Sequence, residues 1–429
     1  MAQKVNFLKD MSATVDGILN HVRQKRPEQA WMSEIHKAVW DPPAFAHDEG
    51  KRWILKGYCV PPELTAAFDC ANLLIDAMST RLASQVERTS RYIDLAEKYV
   101  PSTLCGLDKV DLGIMLSGDF SDKPDAFIYG TVPCDNARAA FPAISNILGV
   151  PSFCVDIPFQ KNERSYRYMA EQYKEVIHFM ENLTGRKMDW DKFFELVRTA
   201  NTINRLETKI GDLRKQIPCP LPGSLLVLNE LIPAMSVSEE MVAFMEKQYE
   251  LGKAQVATGK SFMPGGEQFR VSWLQNMLWS NVGTLNWLEK TYGAVVVMDG
   301  FGYAQGTIVP EEALGDPDKT LIALARRELN MPMVHGAAGP VSDYIKMIDF
   351  VMEDFHVDVP MFIGHVGCKH TWAVAKIIRD RIHKKYGLPT LALDVDAVDG
   401  RYKSTEEIRS VIGEYMDTLL ENREKQRKG

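Results

Sequence analysis

The sequence predicts an α/β protein built from two similar doubly wound parallel-sheet domains joined by a helical middle region. Three observations carry this. Strand-like apolar runs alternate with helical stretches over residues 51–161, and again over 268–429, which is how strand–helix–strand units of a parallel sheet are written. Residues 162–267 between them carry apolar side chains at helical spacing. A pattern of residue types near position 130 also returns near position 365. Residues 1–50 read as an N-terminal helical arm.

The arm begins with Leu8–Val22, a partly amphipathic helical pattern. Trp31, Trp40 and the pair Pro42-Pro43 then suggest an irregular stretch lying on the rest of the chain. Trp53 to Val60 is strand-like. Pro61-Pro62-Glu63-Leu64 opens a helix, proline and an acid both suiting a first turn. Asn72–Ile75 reads as the next strand, with helix from there to about Tyr99. Thr103 is expected to cap the helix after Cys105. Asp125–Tyr129 is a strand, and Asn136–Leu148 a helix despite Pro142. Gly149-Val-Pro151 ends that helix before the strand Ser152–Ile157.

In the middle region, Tyr166, Met169, Tyr173, Val176, Ile177 and Met180 recur at helical spacing, and Gly185 closes the run. Phe193 to Leu213 repeats the pattern until Pro218, Pro220 and Pro222 interrupt it. Such stripes are core packing. The α/β pattern restarts with the strand Arg270–Leu274, a helix over Val282–Tyr292 and the strand Ala294–Met298. A looser segment leads to helix Ile345–Phe355, strand Met361–Ile363, helix Trp372–Tyr386 and strand Thr390–Val395. A helix over about 405–425 ends the chain.

Composition narrows the function classes. The 429 residues are 45% hydrophobic and 25% charged, as in soluble globular proteins. A net charge of −7 argues against nucleic-acid binding, whose footprint is basic. There is no run of 18 apolar residues to span a membrane and no apolar core of an export signal at the start. A cytoplasmic location is expected. Of the seven cysteines, those in a reducing compartment are free thiols, redox groups or metal ligands. No CxxC pair exists, so neither a zinc ribbon nor a thioredoxin motif fits. Cys70 and Cys154, on apolar segments, read as packing residues.

The internal repeat sharpens the picture. Ile128-Tyr-Gly-Thr-Val-Pro-Cys134, a helix, Gly149-Val-Pro151, a strand and Asp156 follow one another. Phe362-Ile-Gly-His-Val-Gly-Cys368, a helix, Gly387-Leu-Pro389, a strand and Asp394 follow in the same order. Each cysteine is thereby expected at a strand's carboxyl edge and a helix's amino end. Open α/β sheets bind ligands at that edge, and a helix amino end favours thiolates. Two possible nucleotide motifs fail. Ala257-Thr-Gly259-Lys260-Ser261 lacks the earlier glycine of a phosphate-binding loop, and Gly300-Phe-Gly302-Tyr-Ala-Gln-Gly306 misses the dinucleotide spacing.

From about residue 50 to the end, the chain resembles the 2-hydroxyacyl-CoA dehydratase and benzoyl-CoA reductase family. The resemblance rests on Cys59-Val-Pro-Pro-Glu-Leu64, Leu104-Cys-Gly106, Pro133-Cys-Asp135 and Gly367-Cys-Lys369, in that order. Val155-Asp-Ile-Pro158, Leu183-Thr-Gly-Arg-Lys187, Gly387-Leu-Pro-Thr390 and Asp394-Val-Asp396 add to it. It implies one [4Fe-4S] cluster between the two domains, with Cys105, Cys134 and Cys368 as ligands and the fourth iron open. It also implies a homologous second catalytic subunit, in a heterodimer or homodimer. A separate ATP-hydrolysing iron–sulfur activator would feed single electrons to an acyl-CoA substrate. The expected reaction is (R)-2-hydroxyacyl-CoA dehydration to the 2-enoyl-CoA through a ketyl radical, which acidifies an otherwise unreactive β-proton.

The chain departs from the dehydratase pattern before Pro-x-Glu-Leu. Where the larger dehydratase subunits have a serine, it reads Lys56-Gly-Tyr58-Cys59. Tyr58 offers a hydroxyl there and Cys59 a thiol. His365 and His370 flank Cys368, as a proton donor or a hydrogen-bond partner of a cluster sulfur. Tyr58 and His365 are the candidate catalytic residues. Other readings stay open: a benzoyl-CoA-type ring reductase, a double-cubane reductase drawing on Cys59, Cys70, Cys154 or Cys219, and a clusterless two-domain ligand-binding protein.

Overall fold

The computed structural model of the chain describes residues 6–274, 277–303 and 308–428. The arm is helical throughout: α1 spans Phe7–Lys25 and α2 spans Ala30–Phe45. The stretch expected to be irregular is therefore a helix, with Pro42 and Pro43 in its last turn. Prolines there remove only the final backbone bonds. The buried face of Ile35, Val39 and Trp40 offsets that loss. Phe7 packs on Trp40 and Phe120, ring centres 6.5 and 6.1 Å away, and so seats the arm on the first sheet's core.

That sheet contains β1 (Trp53–Lys56), β2 (Ala71–Leu74), β3 (Ala126–Gly130) and β4 (Ser152–Val155), all parallel in the order β2-β1-β3-β4. Its helices are α3 (Glu63–Ala66), α4 (Asp76–Leu82), α5 (Val86–Ala96), α6 (Gly106–Ser117) and α7 (Asp135–Leu148). Two expectations are corrected. The helix expected to run to Tyr99 is α4 and α5, broken at residues 83–85. Cys105, not Thr103, occupies the cap position of α6, because the helix begins at Gly106.

The middle segment folds as α8 (Glu163–Thr184), α9 (Trp190–Arg214), α10 (Ser224–Met235) and α11 (Glu239–Ala257). Asn162, Asp189 and Ser238 cap α8, α9 and α11 by accepting from Ser165, Lys192 and Met241 N–H groups. Such caps each stabilise by about 1 kcal/mol. Ile203, Leu206 and Ile210 of α9 join Met241, Phe244 and Met245 of α11 in a separate core with Ile35 of α2. The proline-rich passage after α9 is fastened by two buried arginines. Arg214 donates to the carbonyls of Leu221 and Val296 at 3.2 and 3.3 Å, and Arg270 donates to those of Arg214 and Gln216 at 2.7 and 3.0 Å.

The second sheet holds β5 (Phe269–Leu274), β6 (Ala294–Asp299), β7 (Val359–His365) and β8 (Leu391–Val395). They are parallel in the order β6-β5-β7-β8, the first sheet's order repeated. Around it lie α12 (Gly283–Tyr292), α14 (Val341–Asp354), α15 (Lys369–Tyr386) and α16 (Thr405–Lys428), while α13 (Pro317–Leu329) follows α12 in the chain and packs elsewhere. The repeat is thus structural: β3, α7 and β4 correspond to β7, α15 and β8. Both α7 and α15 stop at a glycine in the left-handed region, Gly149 (φ 64°) and Gly387 (φ 69°), where a side chain is strained. The segment expected to be loose contains α13. Its Leu321, Leu324, Ala325 and Leu329 pack in the first sheet's core, beside α8. Among the described residues no helix is long and apolar enough to cross a membrane. The glycine run 300–306 lies partly outside the described residues, as do residues 1–5 of the start read for an export signal.

Candidate metal centre

Each sheet reverses its strand order beside its first strand, between β1 and β3 and between β5 and β7. Loops leaving the carboxyl edge at such a reversal open a crevice. Cys134 leaves β3 and stands at the cap position of α7; Cys368 follows β7 and stands at the cap of α15. With Cys105 at the start of α6, all three cysteines occupy helix amino ends. They line one cavity of about 80 Å³, together with Asp76, Asp108, Asn136, Phe301 and His365.

Close backbone contacts hold the three loops together. A Cβ built on Gly367 would lie 2.5 Å from Cys105 Cα and 2.9 Å from its nitrogen. Only a glycine lets the loop before Cys368 press on the Cys105 backbone. Asn136 Nδ2 donates to the Gly367 carbonyl at 2.7 Å, which ties in the start of α7. Cys134 Sγ accepts from Ala137 N–H at 3.3 Å. His365 Nε2 lies 3.0 Å from Cys105 Sγ, while its Nδ1 accepts from Ala397 N–H at 3.1 Å. The Asp396 carboxylate packs on Gly106 and accepts from Val398 and Asp399 N–H groups.

The pocket is electrostatically costly for bare thiolates. Burial, and then the charge of Asp108, pushes the Cys105 and Cys134 thiols well above their ordinary range. Burial and the neighbouring Asp76 push Asp108 up to about 8, and burial pushes Asp76 up to about 6. Burial lowers His365 despite the nearby Asp396 carboxylate and Val395 carbonyl, so its ring is neutral near pH 7. Two buried polar atoms here have no hydrogen-bond partner, Asp108 Oδ2 and the hydroxyl of Tyr344. Burial, and then the neighbouring Cys368, push the Tyr344 hydroxyl's pKa up. Orphaned polar groups beside three thiols fit a site that takes a charged or polarisable group. Among the described residues no three His, Cys, Asp or Glu side chains are arranged to hold a single metal ion. The thiols face the cavity from three separate loops.

Other candidates are placed elsewhere. Tyr58 lines a neighbouring cavity of about 50 Å³ with Glu63, Glu207, Arg327 and Glu328, and Phe301 borders both cavities. Cys59, Cys70 and Cys219 are buried, Cys154 is exposed, and none of the four lines the cysteine cavity. His370 lines it and pairs with Asp135 at 3.3 Å. Sequence reasoning missed Asp76, Asp108 and Asn136. Asp108 was the most legible, since three residues after a helix-capping cysteine lies the helix's first turn. Asp76 and Asn136 gave no signal apart from the fold.

Known proteins are similar to this chain. A family model described as 2-hydroxyglutaryl-CoA dehydratase, D-component, matches residues 58–419. The chain is 22% identical over 315 residues to the alpha subunit of (R)-2-hydroxyglutaryl-CoA dehydratase of Acidaminococcus fermentans. That match covers 71% of this chain and 62% of the relative, so the chain spans less than two thirds of that protein's length. It is 20% identical to a benzoyl-CoA reductase subunit of Thauera aromatica, over 84% of this chain and 87% of the relative. With the (R)-2-hydroxyisocaproyl-CoA dehydratase alpha subunit of Clostridioides difficile it shares 22% identity, over 90% and 94%. The chain belongs to the 2-hydroxyglutaryl-CoA dehydratase D-component family, and these three relatives are enzyme subunits.

Proposed function

We propose that this chain is the cluster-bearing catalytic subunit of an ATP-activator-dependent iron–sulfur enzyme acting on an acyl-CoA in the cytoplasm. Its reaction is (R)-2-hydroxyacyl-CoA dehydration to the 2-enoyl-CoA through a ketyl radical. One observation carries the reading: Cys105, Cys134 and Cys368 meet in one cavity although they are far apart in sequence. Three thiols are a soft donor set that suits iron–sulfur clusters. Thiols that reach one cavity from separate loops suit a [4Fe-4S] cluster, three of whose irons would each take one thiolate and the fourth none. When bound, such a cluster supplies single electrons and an open iron as a Lewis acid for the thioester carbonyl.

The chain's own residues frame that chemistry. The three helix amino ends counter the thiolate charge. Leu107, Phe141, Phe301 and Met333 give the cavity an apolar wall that excludes water. Asp108, protonated near neutral pH, holds a proton beside Cys105. Tyr58 lines the adjoining cavity, which Phe301 also borders, and this suits contact with the acyl group rather than with the cluster. The partners are a homologous second catalytic subunit and a separate ATP-hydrolysing activator. The relatives are each named as one subunit of a larger enzyme, which supports the first partner.

A benzoyl-CoA-type reductase is the second reading. Tyr58-Cys59 in place of the dehydratase serine favours it. A double-cubane cluster is disfavoured, because four of the seven cysteines lie away from the cavity. The test is turnover of the anaerobic chain with its partner subunit, activator and ATP. A panel of (R)-2-hydroxyacyl-CoA thioesters and benzoyl-CoA is supplied. Formation of a 2-enoyl-CoA supports dehydration. Ring reduction alone transfers the assignment to the second reading, and no turnover of any thioester by an iron-loaded preparation contradicts both.

A further inference from the structure

We infer that His365 sets the reduction potential of the cluster by holding one N–H···S hydrogen bond on Cys105. The inference rests on the cluster reading above. His365 is the last residue of β7 and is 1% exposed, so its ring is fixed by the sheet that positions Cys368. Its two nitrogens face different partners. Ala397 N–H points at Nδ1 at 3.1 Å, so Nδ1 accepts and carries no proton. A neutral ring then bears its proton on Nε2. Nε2 lies 3.0 Å from Cys105 Sγ, so the N–H donates to the sulfur. The donor is built from outside the metal site. Ala397 follows β8, and the turn carrying it is held by Asp396 Oδ1, which accepts from Val398 and Asp399 N–H groups at 3.0 and 2.9 Å.

The physical consequence has a definite sign. A hydrogen bond to a ligating sulfur stabilises the more negative, reduced state of a cluster and raises its potential. His365 is a positioning residue in this role. Its polar neighbours include Cys105, Ala397, the Val395 carbonyl and the carboxylate of Asp396, 4.0 Å from Nδ1.

The experiment is an anaerobic redox titration of the iron-loaded full chain, followed by electron paramagnetic resonance. His365→Leu removes the donor, and His365→Gln places an amide N–H near the same point. The Leu variant is expected to be about tenfold harder to reduce, which is about 59 mV for a one-electron couple. The Gln variant is expected to titrate with the native chain. An unchanged midpoint in His365→Leu, or a Gln variant as displaced as the Leu variant, overturns the inference. A second readout covers a Leu variant that fails to fold. With ¹⁵N-histidine labelling, the reduced native chain is expected to show hyperfine coupling to an imidazole nitrogen that His365→Gln lacks; identical spectra overturn it. Absence of iron from the native chain defeats the cluster reading itself, a result separable from an iron-loaded chain with an unmoved potential.

Discussion

At the scale of single residues, the centre depends on a few atoms whose environment the fold makes expensive. Buried acids show the same cost outside the centre. Glu207 is 6% exposed, and burial followed by the charge of Asp299 raises its pKa from 4.5 to about 8. A raised folded-state pKa means that Glu207's contribution to stability is complete below pH 4.5. It is lost as the pH rises toward 8. Glu207→Gln is therefore expected to flatten the fall in stability between pH 5 and pH 8, by on the order of a few kcal/mol at the upper end. Urea midpoints of the two chains at both pH values check this. An equal pH slope in native and variant chains contradicts it. The three cysteines that line the cavity were legible in the sequence, because two sit in a repeated motif and the family resemblance supplied the third. Asp108 and Asn136 were not, because a lone polar residue on a helix declares its burial only when the packing is known.

At the scale of elements, the loop before Cys368 is the joint that makes the centre. Gly367 presses on the Cys105 backbone and receives Asn136, so three elements distant in sequence converge on one peptide. Gly367→Ala is expected to destabilise the chain by about 1–3 kcal/mol, the usual range for overpacking, and to lower its iron content. Gly17→Ala, in α1 with nothing within 4 Å of the added carbon, is expected to leave iron unchanged and to stabilise by about 0.5–1 kcal/mol. Thermal melts and iron assays on both variants decide it; equal iron in Gly367→Ala and the native chain contradicts the role given to this loop. Strands and long helices were legible because apolar periodicity writes them directly. α2 was hidden by its two prolines, whose local preference lost to burial of Ile35, Val39 and Trp40. α13 was hidden differently. Its apolar spacing is visible, but its buried face belongs to a core formed by residues far earlier in the chain.

At the scale of the whole molecule, two copies of one sheet order stand in a single chain. Each contributes a cysteine at its strand-order reversal, and α6 adds the third. The second sheet's chain also returns to the first: Arg327 of α13 pairs with Glu63 of α3 at 2.5 Å, both buried. This cross-tie keeps the element after Phe301 against the cavity that Tyr58 lines. The parallel sheets and the repeat were legible as a pattern. The tie was not, since nothing in a sequence pairs a glutamate with an arginine 264 residues away.

The central claim is that three distant thiols share one inorganic group, and iron analysis with electron paramagnetic resonance on anaerobically purified chains tests it most directly. The native chain is expected to carry about four iron atoms, and Cys219→Ala to keep them. Cys105→Ala, Cys134→Ala and Cys368→Ala are each expected to lose the iron and the reduced-cluster signal. Full iron in all three of those variants, or none in the native chain, contradicts the claim.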